Sequence, residues 1–408
     1  MDRLNLIWLN VPLRQIIRAQ VIRITYLNPQ FLLMHRDSKK ANQIKRILHS
    51  ALLPLAAFGM LLAACNGSGT ADQAADSTAT AAKSDNTLLG AGSTFVYPLF
   101  SKMFSSYNQT TGIRVNYQSI GSGGGILQLT NKTVDFGGTD APLNEEQSKK
   151  IGVEILHIPI ASGASVVSYN LPGFQDTLKL TPALIADIFL GKIKNWNDPG
   201  IAAVNPGAKI PALPIIVAHR SDGSGTTFIW TDYLSKVSDE WKTKVGKGTA
   251  VNWPVGLGGK GNEGVSGLVR QTPGGIGYME LAYAVQNKMS VATIKNKSGH
   301  FIYPDLSSIT NAGNIQLPAD AKVSITNTDA ADGYPISSFT WAIIYKEQKY
   351  NNRGQDRAEK LIKLLWWTIH EGQTYCKQLN YAPLSLSALQ VGETLLKSAT
   401  YDGKPILP

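Results

Sequence analysis

Four times along this chain a short apolar run gives way to glycines and hydroxyl residues, and then to a helical pattern. The first unit runs Leu88-Leu89-Gly90-Ala91-Gly92-Ser93-Thr94-Phe95, with a helix expected from Val96 to about Tyr107. In the second, the alternating run Val115–Ser119 enters Gly121-Ser122-Gly123-Gly124-Gly125, and a helix is read from Ile126. The third is Val134–Asp140, followed by Ala141-Pro142 and a helix with Glu145 and Glu146 in its first turn. The fourth joins Ile215–Ala218 to Arg220-Ser221-Asp222-Gly223-Ser224-Gly225-Thr226-Thr227-Phe228, with Trp230 and Leu234 one helical turn apart beyond it. Strands alternating with helices point to an α/β fold with a mainly parallel sheet, whose ligands sit at the carboxyl ends of the strands.

Such a unit can receive an anion. Glycines let the backbone come close, and the first N–H groups of a helix have no intrahelical partner. The helix dipole adds partial positive charge, so an oxyanion is held without a metal. Arg220 supplies a full charge and a planar fork that matches two oxygens of a tetrahedral anion. Taken singly, the Arg220–Phe228 stretch reads equally as a capped helix start. Four units that all present N–H and O–H donors are a consistent design for one dehydrated anion.

The 408 residues, 43% hydrophobic, suffice for a large core in two lobes. Three units lie before residue 160 and the fourth far beyond, which places two lobes across a cleft. Ile158–Val167 is expected to cross between them and Pro335–Ile344 to return. Lobe 1 is assigned 87–163 and 335–408, lobe 2 164–334. A C-terminal helix is expected over Asp356–Glu371, with Trp366 and Trp367 packing rather than binding, whereas 287–320 is polar and irregular.

The net charge of +10 suggests nucleic acid until it is located. Arg3, Arg14, Arg18 and Arg23 against Asp2 give +3 in residues 1–33. Arg36, Lys39, Lys40, Lys45 and Arg46 against Asp37 give +4 in 34–64, leaving +3 for the rest. No basic block interleaved with aromatics remains, so no nucleic-acid partner is expected. The early charges belong to a targeting signal: Met34 opens a basic region, an apolar run spans Ile47–Leu62, and Leu62-Ala63-Ala64-Cys65 follows. Those four residues resemble the lipobox of bacterial lipoproteins, which makes Cys65 the lipidated first residue and 34–64 a removable signal. Residues 1–33 have no place in it and read as upstream of the true start. Residues 65–86, rich in Ala, Ser, Thr, Gly and Asp, read as a flexible tether. With Cys65 committed, Cys376 has no partner and reads as a buried core thiol.

Beyond the four units stand Leu190-Gly191-Lys192-Ile193-Lys194-Asn195-Trp196 and Gly256-Leu257-Gly258-Gly259-Lys260-Gly261-Asn262. Together and in this order, from about Leu88 to the C-terminus, the motifs resemble the phosphate-binding proteins that feed the high-affinity phosphate ABC importer of bacteria. The resemblance implies a two-lobed periplasmic-binding-protein fold, type II-like, closing on one phosphate, with no cofactor, metal or catalytic group. It implies ligand contacts from Thr94, Phe95 (through its backbone N–H), Ser122 and Asp140, and from Arg220, Ser224, Gly225 and Thr226. Asp222 would orient the Arg220 guanidinium. His219 stands where the family often places a second basic residue, which leaves the local charge of the cleft open. The implied partners are inorganic phosphate, a membrane permease and its ATPase, and a membrane reached through the lipid anchor; the implied state is a monomer in the periplasm or cell envelope.

Asp140 is the informative residue, because a carboxylate repels an anion once both are desolvated. It makes sense only if the anion carries a proton to donate. Phosphate near neutral pH does and sulfate does not, so Asp140 would reject sulfate. A plain helix cap before Ala141-Pro142 is the other reading of Asp140. A receptor for sulfate or molybdate remains a rival, as does a secreted hydrolase built on Ser224 and His219. Against the hydrolase, Asp222-Gly223-Ser224-Gly225 lacks the nucleophile-elbow spacing, and the six histidines show no metal spacing. Gly258-Gly259-Lys260-Gly261 lacks the Ser or Thr of a P-loop.

Overall fold

A computed structural model of the chain describes residues 86–408. Residues 1–33, the signal expected at 34–64, Cys65 and all but the last residue of the expected tether lie outside the described residues. Strand β1 (Thr87–Gly92) leads to helix α1 (Tyr97–Thr111), where Pro98 sits in the first turn and Gly112 ends the helix at φ 72°. Leu99, Phe100, Met103, Phe104 and Tyr107 recur at helical spacing and bury one face. Strand β2 (Arg114–Ser119) runs into helix α2 (Ser122–Thr130), then strand β3 (Phe136–Thr139) and helix α3 (Glu145–Ile151). Here the first difference from expectation appears, because the glycines 123–125 lie inside α2 rather than in a loop before it. Glycine costs helix stability in isolation, but a Cβ on Gly125 would lie 2.5 Å from Ala91 O and Gly92 Cα. Only a residue without one lets α2 press onto β1.

The long strand β4 (Ile155–Tyr169) is buried along all but its first residue. Its Ile158, Ile160, Val166 and Val167 are fully covered, each stabilising the fold by about 1.5–3 kcal/mol. Beyond it come β5 (Lys179–Leu180), α4 (Pro182–Phe189), α5 (Pro199–Val204), β6 (Ile216–Arg220) and α6 (Gly225–Val237). Helix α7 (Asp239–Lys244), strand β7 (Leu257–Gly259), helix α8 (Gly261–Gln271), strand β8 (Gly275–Glu280) and helix α9 (Leu281–Gln286) follow. The stretch 287–320 is more regular than its composition suggests, with short strands β9 (Ser290–Val291), β10 (Thr293–Lys295) and β11 (Phe301–Ile302), and helix α10 (Leu306–Gly313). Strand β12 (Ser337–Tyr345), helix α11 (Gln355–Ile369) and helix α12 (Leu386–Lys397) form most of the remainder.

Among the described residues the main sheet has the order β2-β1-β3-β12-β4-β8-β6-β7, with β9 also on β4. Its two wings are parallel, β2-β1-β3 and β8-β6-β7, but its centre is antiparallel. The sheet is therefore mixed rather than mainly parallel. The cause is the pair of crossing strands, which run in opposite directions side by side. Residues 155–164 of β4 pair with β12, and from Ser165 the strand pairs with β8 instead. The carboxyl ends of both wings, with the helix starts that follow them, face one region.

Candidate functional site

Asp140 follows β3 directly and is 1% exposed. It is not a helix cap: α3 starts at Glu145 and is capped by Asn144, while Thr139 Oγ1 takes the Ala141 N–H. Its carboxylate accepts hydroxyl hydrogen bonds instead. Ser93 Oγ lies 2.6 and 2.8 Å from its two oxygens, Thr340 Oγ1 2.7 Å from Oδ1, and Ser122 Oγ a long 3.4 Å from Oδ2. Burial pushes the Asp140 carboxyl up to about 6, against the pull of Ser93, Thr340, Arg220 and Ser122. A carboxylate has about four lone-pair positions, and Oδ2 is the less satisfied oxygen.

Ser122, first residue of α2, binds both wings through one atom. Its Oγ accepts from Asp140 N–H at 3.3 Å and from Gly225 N–H at 3.1 Å. Gly225 opens α6, and a Cβ there would lie 2.5 Å from Ser122 Oγ and collide with Asp140 Oδ2. Gly123 N–H donates to Gly223 O at 2.9 Å, a second bond between the two helix starts.

Arg220 ends β6 and is 3% exposed. Asp222 grips its guanidinium at both oxygens, Nε–Oδ1 2.8 Å and Nη2–Oδ2 2.5 Å. Burial raises the Asp222 carboxyl, but the Arg220 bonds and charge outweigh it and hold the group below its ordinary value. Gly261 N–H also donates to Asp222 Oδ1, at 3.0 Å. With the fork's flank occupied, Nη1 is aimed at Thr226 Oγ1, 3.4 Å away. Thr226 in turn shares Asn262 with Thr94: the Asn262 amide Nδ2 donates to Thr94 Oγ1 at 2.7 Å and to Thr226 Oγ1 at 3.3 Å.

Hydrogen bonds thus join Asp140, Ser122 and Gly225 in one buried set and Thr94, Arg220 and Thr226 in another, with Asp222 beside Arg220, and the two sets adjoin along the chain at Ser93-Thr94 and Gly225-Thr226. Two expected residues sit differently. The Phe95 N–H donates to Ser93 Oγ at 3.0 Å, and its ring is buried edge-on to Tyr381. Ser224 Oγ caps α6 by accepting Thr227 N–H at 3.0 Å. His219, on the opposite face of β6 from Arg220, stacks on Trp253 with ring centroids 4.7 Å apart. Its ring therefore lies away from the Arg220 guanidinium and does not pair with Ser224. Cys376 is buried, its thiol pushed up to about 12 by burial. Trp366 and Trp367 are half-buried against the core. Among the described residues no group of three or more His, Cys, Asp or Glu could hold a metal, and no helix is long and apolar enough to cross a membrane.

Sequence reasoning missed Ser93, Thr340 and Asn262. Ser93 and Asn262 lay inside quoted motifs. Thr340 lay in the return strand, opposite Ala161 where the β12–β4 ladder slips past Ile160, and nothing in its neighbours distinguishes it. Glu280 was missed too: it is fully buried, accepts from Ala282 N–H at 2.6 Å and Tyr381 OH at 3.1 Å, and burial raises its carboxyl well above the ordinary value.

Comparison with known proteins gives concordant results. The family model described as a PBP superfamily domain matches residues 77–369. The "Phosphate-binding protein PstS" of Xylella fastidiosa (strain Temecula1) is 45% identical over 301 residues, 72% of this chain and 80% of that protein. The protein of the same name from Pasteurella multocida is 41% identical over 326 residues, 78% of this chain and 93% of its own length. Among solved structures, a high affinity periplasmic phosphate-binding protein bound with phosphate superposes with a TM-score of 0.61, at 19% identity over 76% of this chain and 93% of that one. A phosphate-binding protein from Stenotrophomonas maltophilia does so with a TM-score of 0.56, at 16% identity over 76% and 93%. At these identities the structures bear on the fold alone, and the fold they share is the two-lobed one.

Proposed function

This chain belongs to the phosphate-binding proteins of the PBP superfamily, and from that premise we propose that it is an extracytoplasmic receptor that captures inorganic phosphate and delivers it to an ABC importer. The observation that carries the reading is a single buried carboxylate, Asp140, set among donors. Thr94, Ser122 and Thr226 offer hydroxyls, Arg220 a guanidinium held in place by Asp222, and the start of α6 its N–H groups with the positive end of a helix dipole. Ser224 caps that helix, and the Phe95 N–H, which donates to Ser93 Oγ in this structure, would have to exchange that partner to reach an anion. Donors alone would accept any tetrahedral oxyanion. Asp140 accepts from one that still carries a proton and opposes one that does not.

In this reading lobe 1 comprises 87–163 and 335–408, lobe 2 comprises 164–334, and phosphate lies between them. The change of partner along β4 after Ala164 supports that boundary. Signal cleavage before Cys65 would leave a lipid-anchored body on the tether 65–86, acting as a monomer beside a permease and its ATPase. Binding without catalysis is supported by Ser224, which is spent on its helix cap, and by His219, turned away on Trp253.

Calorimetric titration of the purified chain, stripped of bound anion, tests the reading. Phosphate should bind at micromolar strength or better, about −8 kcal/mol, and sulfate should give no heat. Tight sulfate binding would overturn the substrate, and silence to both would overturn the receptor.

A further inference from the structure

The phosphate reading depends on hydroxyls that donate, yet a threonine or serine hydroxyl can equally turn and accept. We infer that Asn262, which the resemblance gives no role, fixes the hydrogen-bond direction of Thr94 and Thr226 and so makes the site donor-only except at Asp140.

Asn262 is in the first turn of α8 and fully buried. Its Oδ1 accepts the Glu280 backbone N–H at 3.0 Å. A backbone N–H can only donate, so the amide is held with its NH2 facing the two threonines. Nδ2 donates to Thr94 Oγ1 at 2.7 Å, and the Asn262 backbone N–H donates to the same oxygen at 3.2 Å. A hydroxyl has two lone pairs and one proton. With both lone pairs engaged, Thr94 has only its proton left to offer. Thr226 Oγ1 is treated the same way, by Asn262 Nδ2 at 3.3 Å and Arg220 Nη1 at 3.4 Å. Ser122 needs no asparagine, since the Asp140 and Gly225 N–H groups engage its oxygen. Three hydroxyls from distant segments are thereby set to donate. Asn262 touches them rather than the anion, so it is a positioning residue.

The same contacts tie this polarity to closure. Thr94 follows β1 in one wing, and Thr226 and Asn262 follow β6 and β7 in the other. The donor orientation of Thr94 is complete only when the wings meet.

Freed of Asn262, the hydroxyls can accept, and the site gains acceptors beyond Asp140. A doubly protonated phosphate then has a second partner. The preference moves toward acid pH. Asn262→Asp keeps the shape and the Glu280 bond but replaces the NH2 with an acceptor, which turns both hydroxyls inward.

The inference rests on the phosphate reading, so the test runs full-length wild type beside Asn262→Ala and Asn262→Asp. Phosphate affinity is titrated across about pH 5.5 to 8.5, with near-ultraviolet circular dichroism and thermal melting to verify folding. Asn262→Asp should lose at least about 100-fold in affinity and Asn262→Ala about 10-fold. The Asn262→Ala affinity should also fall more steeply than wild type as pH rises. The charged groups beside Asn262 or one partner away (Arg220, Asp222, Lys260, Glu263 and Glu280), and Asp140 elsewhere in the site, are common to wild type and Asn262→Ala, so the difference between profiles reports the hydroxyls. If wild type itself fails to bind phosphate, the functional reading fails. If wild type binds and both folded variants match it, or if Asn262→Ala is weaker with a parallel profile, the polarity role is overturned. Should Asn262→Ala fail to fold, an unweakened Asn262→Asp overturns the inference alone.

Discussion

Burying Asp140 sets a cost that, on the proposed reading, a protonated anion would offset. Its carboxyl is raised to about 6 from an ordinary 3.8, so the folded chain holds the proton more tightly than the unfolded chain. The stability this confers is full below about pH 4 and is lost as pH rises through about 6. Asp140→Asn should therefore melt higher than wild type at pH 7 without ligand, by about 1–3 kcal/mol, with the gap closing below about pH 4. Equal melting at both pH values would contradict the burial argument. On the proposed reading the same titration would govern selectivity. Below about pH 6 Asp140 becomes a donor, so wild type should begin to bind sulfate there, and titration at pH 5 against pH 7.5 checks it. Asp222 acts one step back, holding Arg220 by two hydrogen bonds. Asp222→Asn leaves a looser guanidinium and should weaken phosphate binding by about 10-fold, read by calorimetry.

At the scale of elements, two glycines in helix starts do different work. A Cβ on Gly125 meets backbone atoms of β1, whereas a Cβ on Gly225 meets Asp140 and Ser122 across the site. Gly125→Ala should lower the melting temperature by several degrees whether or not ligand is present. Gly225→Ala, whose Cβ disturbs the Asp140–Ser122 contacts across the site, should lose the phosphate-induced rise that Gly125→Ala keeps. Wild type should gain about 2.7 kcal/mol at 100 times its Kd. The strand, turn and helix units were legible because glycine, hydroxyl and apolar residues are grouped locally. The start of α2 was not, because its glycines suggest a loop and only packing on β1 makes them helical. The antiparallel centre was half legible. A crossing at 158–167 and a return at 335–344 imply opposite directions, but that the two strands pair side by side at the centre of the sheet is a property of the whole path. Ser93, Thr340 and Asn262 reach Asp140 or Thr94 from segments far apart in the chain, and no local spacing reports such meetings.

Across the whole molecule, two parallel wings hang on β4 and β12, and their helix starts meet through a few named bonds. Gly123 N–H reaches Gly223 O, Gly225 N–H reaches Ser122 Oγ, and Tyr283 OH reaches Thr94 O at 2.7 Å. A few such bonds, each worth about 0.5–1.5 kcal/mol net, leave closure dependent on what lies between the wings. On the proposed reading the anion draws the wings together and Asp140, as the acceptor, selects it. Titration of Asp140→Asn with phosphate and with sulfate, beside wild type at neutral pH, tests that claim most directly. The account predicts that the variant still binds phosphate and now binds millimolar sulfate, which wild type ignores. A variant that still ignores sulfate would show that the selection lies elsewhere.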